Sequence, residues 1–119
     1  MRYENIASIE RNTAESLRHS GATDELRIAV LSVALHDPDP LWAERYCVSL
    51  SQHKDPIVRG NAILGFGHLA RIHGHLDLSA IEPIIRAGLA DQNAYVRGQA
   101  DSAAGDIETF LGVSVRREH

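Results

Sequence analysis

The sequence is poor in cysteine, in aromatic residues and in basic charge, and each shortage excludes a class of protein. Cys47 is the sole cysteine, so no disulfide can form within the chain. Aromatic residues make up only 5%, and a core of Ala, Leu, Ile and Val favours closely packed helices over a sheet sandwich. Twelve Lys and Arg against sixteen Asp and Glu give a net charge of −4, so we expect no nucleic-acid partner.

Long apolar stretches are missing as well. The N-terminus has no apolar segment typical of a signal peptide, which indicates a cytoplasmic protein without a membrane segment. Hydrophobic residues at 44% and charged residues at 24% are instead ordinary for a chain that folds in water. The length of 119 residues suits one domain.

Prolines and glycines divide the chain into six segments, each with the apolar spacing of a helix. The dipeptides Asp39-Pro40 and Asp55-Pro56 are typical of an N-cap followed by the first helical residue. We therefore predict an all-α fold with helices at about 3–19, 24–36, 40–53, 55–73, 79–89 and 93–111.

Other signals refine these limits. Gly74 suits a left-handed C-cap, and Ser79 with Glu82 three residues later is typical of a capping box. The apolar stripes place Ile72 and Phe110 on the inner faces of their helices. Residues 113–119 are predicted to form a flexible tail.

The sequence also repeats itself. Residues 58–62 read VRGNA, residues 96–100 read VRGQA, and equivalent positions lie 38 residues apart. An acidic turn residue, Asp55 or Asp91, precedes each copy. This arrangement resembles the HEAT-repeat family, in which antiparallel helix pairs stack into an α-solenoid.

The resemblance implies an α-α superhelix of about six helices in three antiparallel pairs. Residues 40–73 and 79–111 would be two repeats and residues 1–36 a weaker N-terminal capping repeat, all within one domain over 1–112. It also implies a structural role at the turns, in preference to anion binding, for four residues: Asp55, Arg59, Asp91 and Arg97.

In HEAT solenoids the second helix of each pair lines the concave surface. By that analogy, six polar residues are predicted to face a bound partner: Asn61, His68, Arg71, Gln99, Ser102 and Asp106. Trp42 lies one helical turn before Tyr46, and two interpretations stay open for this pair. The rings are either an exposed binding hot spot or the filling of the seam between two helix pairs, and packing is favoured.

Signals of cofactor binding or catalysis are weak. His68, His73 and His75 do not have the i, i+4 spacing of helical zinc ligands, so we predict no metal and no cofactor. Cys47 lies within a predicted helix and is interpreted as a core residue. Some HEAT-like proteins are bilin lyases, which leaves a small lyase as the enzymatic alternative, although no residue singles it out.

We therefore expect a non-enzymatic protein-protein interaction module, present as a monomer or a weak homodimer. The alternative within the same class is a bacterial immunity or inhibitor protein that neutralises a basic toxin or enzyme. Small size, the acidic balance and the absence of an active-site motif motivate that alternative.

Overall fold

Six helices joined by short turns make up the computed structural model, which describes residues 6–116. The fold is all-α, as predicted. In chain order the helices are α1 (Arg11–Ser20), α2 (Thr23–His36), α3 (Pro40–Leu50), α4 (Pro56–His73), α5 (Leu78–Leu89) and α6 (Ala94–Leu111).

Two predicted helix limits differ from the structure by more than one residue. The first helix was expected from Tyr3, which lies outside the described residues, but residues 6–10 are not helical. They run beside α2, where Ser32 Oγ donates a 2.6 Å hydrogen bond to the carbonyl of Ala7. The third helix ends at Leu50 and not at His53.

Side-chain caps fix the starts of three helices. Asp39 accepts hydrogen bonds from the amides of Leu41 and Trp42, and Asp55 accepts one from Val58, each with a proline at the next position. Asn93 caps α6 in the same way. Since a cap satisfies amides that have no partner inside the helix, these short motifs predict helix starts well.

The predicted capping box at Ser79 does not form. Helix α5 begins one residue earlier, at Leu78, and Asp77 occupies the N-cap position without a side-chain cap. The Ser79 hydroxyl donates to Asp77 Oδ1 at 2.7 Å. Gly74, in contrast, ends α4 with a φ of 69°, which is the left-handed conformation expected there.

Helix α4 is the centre of the molecule. It packs against α2 and α3 on one side and against α6 and α5 on the other. Glycines allow this close approach: a Cβ at Gly65 would lie 2.7 Å from Cys47 Sγ, and one at Gly67 would lie 3.1 Å from the Ala103 Cα. As a result every residue from 61 to 70 is buried.

The odd-numbered helices are arranged more loosely. Helices α1, α3 and α5 pack mainly on their even-numbered neighbours and much less on one another. This difference leaves gaps between α1 and α3 and between α3 and α5, and cavities lie at these gaps.

The C-terminal part of the described chain folds back on α6. Val115 is fully buried, and Arg116 contacts Asp101 and Glu108. Residues 113–116, which the sequence analysis assigned to a tail, are therefore packed, and 117–119 lie outside the described residues. Two residues expected on inner faces are exposed instead, Ile72 at 41% and Phe110 at 47%. Both lie in the last turn or two of their helices, beyond the packed stretch.

Candidate protein-binding site

The four turn residues predicted to be structural form contacts between and within the helix pairs. Arg59 donates to both carboxylate oxygens of Asp91, at 2.9 and 3.0 Å, and to the backbone carbonyl of His53 at 2.9 Å. Arg97 donates to two equivalent carbonyls, of Asp91 and Gln92. The hydrogen bonds from Arg59 lower the pKa of Asp91. The Arg59–Asp91 pair thus joins two successive turns, whereas Arg97 contacts only the carbonyls of its own turn.

Arg27 extends the same pattern to the first helix pair. Its Nε and Nη2 donate to Asp55 at 3.0 and 2.9 Å, and this pairing lowers the pKa of Asp55 to about 2. Arg27 was not predicted to belong to this set, because Leu26 stands where the later copies have valine. A search for any aliphatic residue followed by arginine near a helix start would have found it.

Asn61 and Gln99 occupy equivalent positions in the repeat and meet in one hydrogen-bond network. The Asn61 amide donates to the Arg27 carbonyl at 2.9 Å, and its oxygen accepts from the Tyr95 hydroxyl. Gln99 donates to the Tyr95 oxygen at 2.8 Å. Asn61 is fully buried, so it links α2, α4 and α6 and does not lie on the surface where the sequence placed it.

Two of the other residues predicted to face a partner contact each other, with Arg71 Nη2 3.3 Å from His68 Nδ1. His68 is buried, and burial lowers its pKa to about 4. Arg71 and Ser102 are exposed, while Asp106 is half-buried where α6 crosses Gly67.

Trp42 and Tyr46 lie at the seam between α1 and α3. Their ring centroids are 5.3 Å apart, and the Tyr46 hydroxyl donates to the Ala14 carbonyl at 2.7 Å. The Arg11 guanidinium covers the indole, 4.6 Å from its centroid. Tyr46 is buried and Trp42 half-buried, so the pair fills the seam, in agreement with the favoured interpretation.

A groove between α3 and the start of α5 is larger than the two other cavities described below. Its volume is about 550 Å³. We call it the α3–α5 groove; it is lined by Pro40, Leu41, Glu44, Arg45, Val48, Ser49, His75, Asp77 and Ala80. Leu41, on the rim of the groove, is 54% exposed.

Glu44 lies inside this groove. The residue is only 8% exposed, and its Oε1 accepts a 2.9 Å hydrogen bond from the amide of Asp77. Asp77 itself is exposed. Among residues 6–116, no cation lies within ion-pair distance of Glu44 or of Asp77.

Two further cavities differ from the α3–α5 groove in the charge of their lining residues. One of about 390 Å³, the α4–α5 cavity, has an apolar floor that includes Ile63 and Ile84, with Lys54 and Arg59 against Asp91 on its rim. The other, the α1–α3 cavity of about 290 Å³, contains Arg18 and Arg45 against a single acid. Both have an excess of cations, in contrast to the α3–α5 groove.

Cys47 lines none of these three cavities. Cys47 is fully buried against Gly65, and burial raises its pKa to about 12. Within 6–116, no three His, Cys, Asp or Glu side chains are grouped closely enough to hold a metal ion. Over the same range, no helix is both long and apolar enough to cross a membrane.

Comparison with known proteins gives one informative likeness. No family model matches this chain, and no curated protein matches it. Among solved structures, the fold is similar to a chain in the crystal structure of a CDI complex from Cupriavidus taiwanensis LMG 19424, with a TM-score of 0.78 and 28% sequence identity. The match covers 92% of this chain and 97% of that chain. The two chains therefore share a fold over nearly their whole lengths.

The α3–α5 groove was not found from the sequence, although α3 contains a signal for it. Leu41, Glu44 and Val48 are spaced i, i+3 and i+7, so they share one helical face. The core uses a different face, which includes Tyr46 and Cys47. A short helix with apolar residues on two faces indicates a second surface to be covered.

Proposed function

We propose that this chain is an immunity protein that binds a toxin and neutralises it without catalysing a reaction. The observation that carries the proposal is the 28% identity and end-to-end similarity to a chain of a CDI complex. A CDI complex pairs a toxin with its immunity protein, and a small helical chain suits the immunity side.

The arrangement of the helices supports recognition through a preformed surface. The core is continuous from α1 to α6 and residues 61–70 of the central helix are all buried, so the exposed grooves belong to a rigid scaffold. Binding to such a surface orders few additional groups, which favours affinity. The net charge of −4 favours a basic partner through long-range attraction.

A HEAT-like origin for the scaffold is part of the proposal. The Arg27–Asp55 and Arg59–Asp91 pairs repeat the same contact along the stack, which supports the resemblance seen in the sequence. In such stacks each helix pair contacts its neighbours, and the exposed faces are used for binding.

Co-expression tests the proposal directly. The protein encoded by the gene adjacent to this one is expressed with and without this chain, and growth and complex formation are measured. We expect growth arrest without the chain, normal growth with it, and a stoichiometric complex on size-exclusion chromatography. A toxin that neither binds this chain nor loses its effect would overturn the proposal.

Stoichiometry separates binding from catalysis. If neutralisation occurs by binding, purified chain protects against the toxin only at about one equivalent or more. Protection by a small fraction of an equivalent would instead support the enzymatic alternative, since an enzyme turns over.

A further inference from the structure

The charge and shape of the α3–α5 groove indicate what kind of toxin segment it binds. We infer that the groove receives a basic side chain, Lys or Arg, that lies next to an apolar side chain on the toxin surface. This inference rests on the proposed function and adds to it the binding surface and the chemistry of the partner.

The carboxylate of Glu44 supplies the charge for this interaction. It is held by the Asp77 amide, which fixes the orientation of the side chain, and it belongs to none of the ion pairs among residues 6–116. By contrast, the carboxylates at the turns between helix pairs, Asp55 and Asp91, each form an ion pair with an arginine of this chain. A largely buried carboxylate without a cation is a good site for one from a partner.

The apolar part of the groove lies beside this carboxylate. Leu41 is one helical turn before Glu44, and Val48 is one turn after it. Leu41 is more than half exposed, whereas Val48 is half-buried beneath the groove opening. The surface therefore offers apolar contact on both sides of a fixed negative charge.

Of the three cavities, the α3–α5 groove has the lining charge that best suits a basic partner. Glu44 and Asp77 outnumber the one cation, Arg45, whereas the α4–α5 and α1–α3 cavities each have more cations than acids. A basic segment is therefore attracted to the α3–α5 groove and repelled by the other two. Arg45 at the rim restricts where that segment enters.

Affinity measurements with two groove variants test the inference. The probe is the toxic protein encoded by the adjacent gene, titrated against the purified chain by calorimetry at low and high salt. Glu44→Gln keeps an oxygen for the Asp77 amide and removes the charge, so we expect binding about tenfold weaker or more, with a flatter salt dependence. Leu41→Ser removes exposed apolar contact, and we expect about a fivefold loss.

Matched controls make the result specific. Phe110→Ser changes a residue of similar exposure on α6, and Lys54→Gln removes a charge at the α4–α5 cavity. We expect both to bind within about twofold of the unmodified chain, since about 0.4 kcal/mol or less is typical of a residue outside the interface. Circular dichroism melting checks the fold of each variant, and Leu41→Ser decides the matter if Glu44→Gln does not fold.

The possible outcomes distinguish the inference from the proposed function. If the unmodified chain binds the toxin and the groove variants bind equally well, the groove is not the binding surface, although the immunity function stands. If Phe110→Ser or Lys54→Gln weakens binding and the groove variants do not, the inference is also wrong. If the unmodified chain does not bind the toxin at all, the proposed function itself fails.

Discussion

The Arg59 guanidinium donates two hydrogen bonds to the Asp91 carboxylate, with Nε 2.9 Å from Oδ2 and Nη2 3.0 Å from Oδ1. Arg59 belongs to the start of α4 and Asp91 to the turn before α6, so the pair joins one helix pair to the next. Arg27 and Asp55 make the same two-point contact one step earlier in the chain. The stack is thus held at its turns by parallel ion pairs as well as by its apolar core.

Removing this contact is expected to destabilise the fold. Arg59→Ala leaves the half-buried Asp91 carboxylate with the Asn93 amide but without the two hydrogen bonds from arginine, and we expect the free energy of unfolding to fall by about 2 kcal/mol. Arg59→Lys keeps the charge without the planar fork and recovers less than half of that loss. Urea unfolding followed by circular dichroism measures both changes.

Arg97→Ala is the matched control for this experiment. Arg97 is exposed and donates only to turn carbonyls, so its removal is expected to change the free energy of unfolding by about 0.5 kcal/mol or less. Equal losses for Arg59→Ala and Arg97→Ala would contradict the assigned role of the Arg59–Asp91 pair.

A second prediction concerns the close contact between α4 and its neighbours. Gly65→Ala would place a methyl group 2.7 Å from Cys47 Sγ and 3.2 Å from the Ala34 Cβ. Because the site is enclosed, we expect a loss of about 2 kcal/mol in the free energy of unfolding. Combining it with Cys47→Ala removes the nearest atom and is expected to restore part of that loss.

Gly98 provides the opposite case in the same kind of helix. A Cβ at this position has no atom within 4 Å, and the residue is exposed. Gly98→Ala should therefore raise the free energy of unfolding by about 0.5 to 1 kcal/mol, since alanine is the better helix former. Stabilisation by Gly65→Ala would show that α4 has room that the structure does not indicate.

The sequence predicts features that depend on one helical turn, such as caps. It does not predict burial, which depends on the distance between helices. Asp39, Asp55 and Gly74 were predicted correctly because a cap depends only on the residues of one turn. Asn61 looked like a surface residue by its polarity, yet it is buried because α2 and α6 both approach α4. The distance between three packed helices depends on all the small residues at their contacts together, and no single sequence pattern predicts that distance.

The binding surface is hidden from sequence reasoning for a similar reason. The family resemblance directed attention to the second helices, whereas the uncompensated charge of Glu44 lies between two first helices. Only the three-dimensional arrangement shows that its hydrogen-bond donor is the Asp77 amide, 33 residues further along the chain.

A third prediction is that the Cys47 thiol does not react in the folded protein. The residue is fully buried, and burial raises its pKa to about 12, so little thiolate forms and reagents cannot reach it. We expect no reaction with an aromatic disulfide reagent at pH 8 in native buffer and full reaction in 6 M guanidinium chloride. Rapid native reaction would reopen a nucleophilic role for this residue.

The fourth prediction concerns acid. Burial lowers the pKa of His68 from its ordinary value of 6.5 to about 4, and the nearby positive charge of Arg71 acts in the same direction. Between about pH 6.5 and pH 4 the unfolded chain therefore binds a proton that the folded chain does not. The contribution of a neutral His68 to stability is complete above pH 6.5 and is lost as the pH falls through this range.

Replacing the imidazole isolates this effect from that of other titrating groups. We expect the difference in unfolding free energy between the unmodified chain and His68→Gln to be constant above pH 7 and to shift in favour of the variant between pH 6.5 and 4. Urea unfolding at half-unit pH steps measures the difference. His73→Gln, at an accessible histidine in the last turn of α4, serves as the control. Parallel curves for the unmodified chain and His68→Gln across the whole range would mean that His68 titrates as an exposed histidine does.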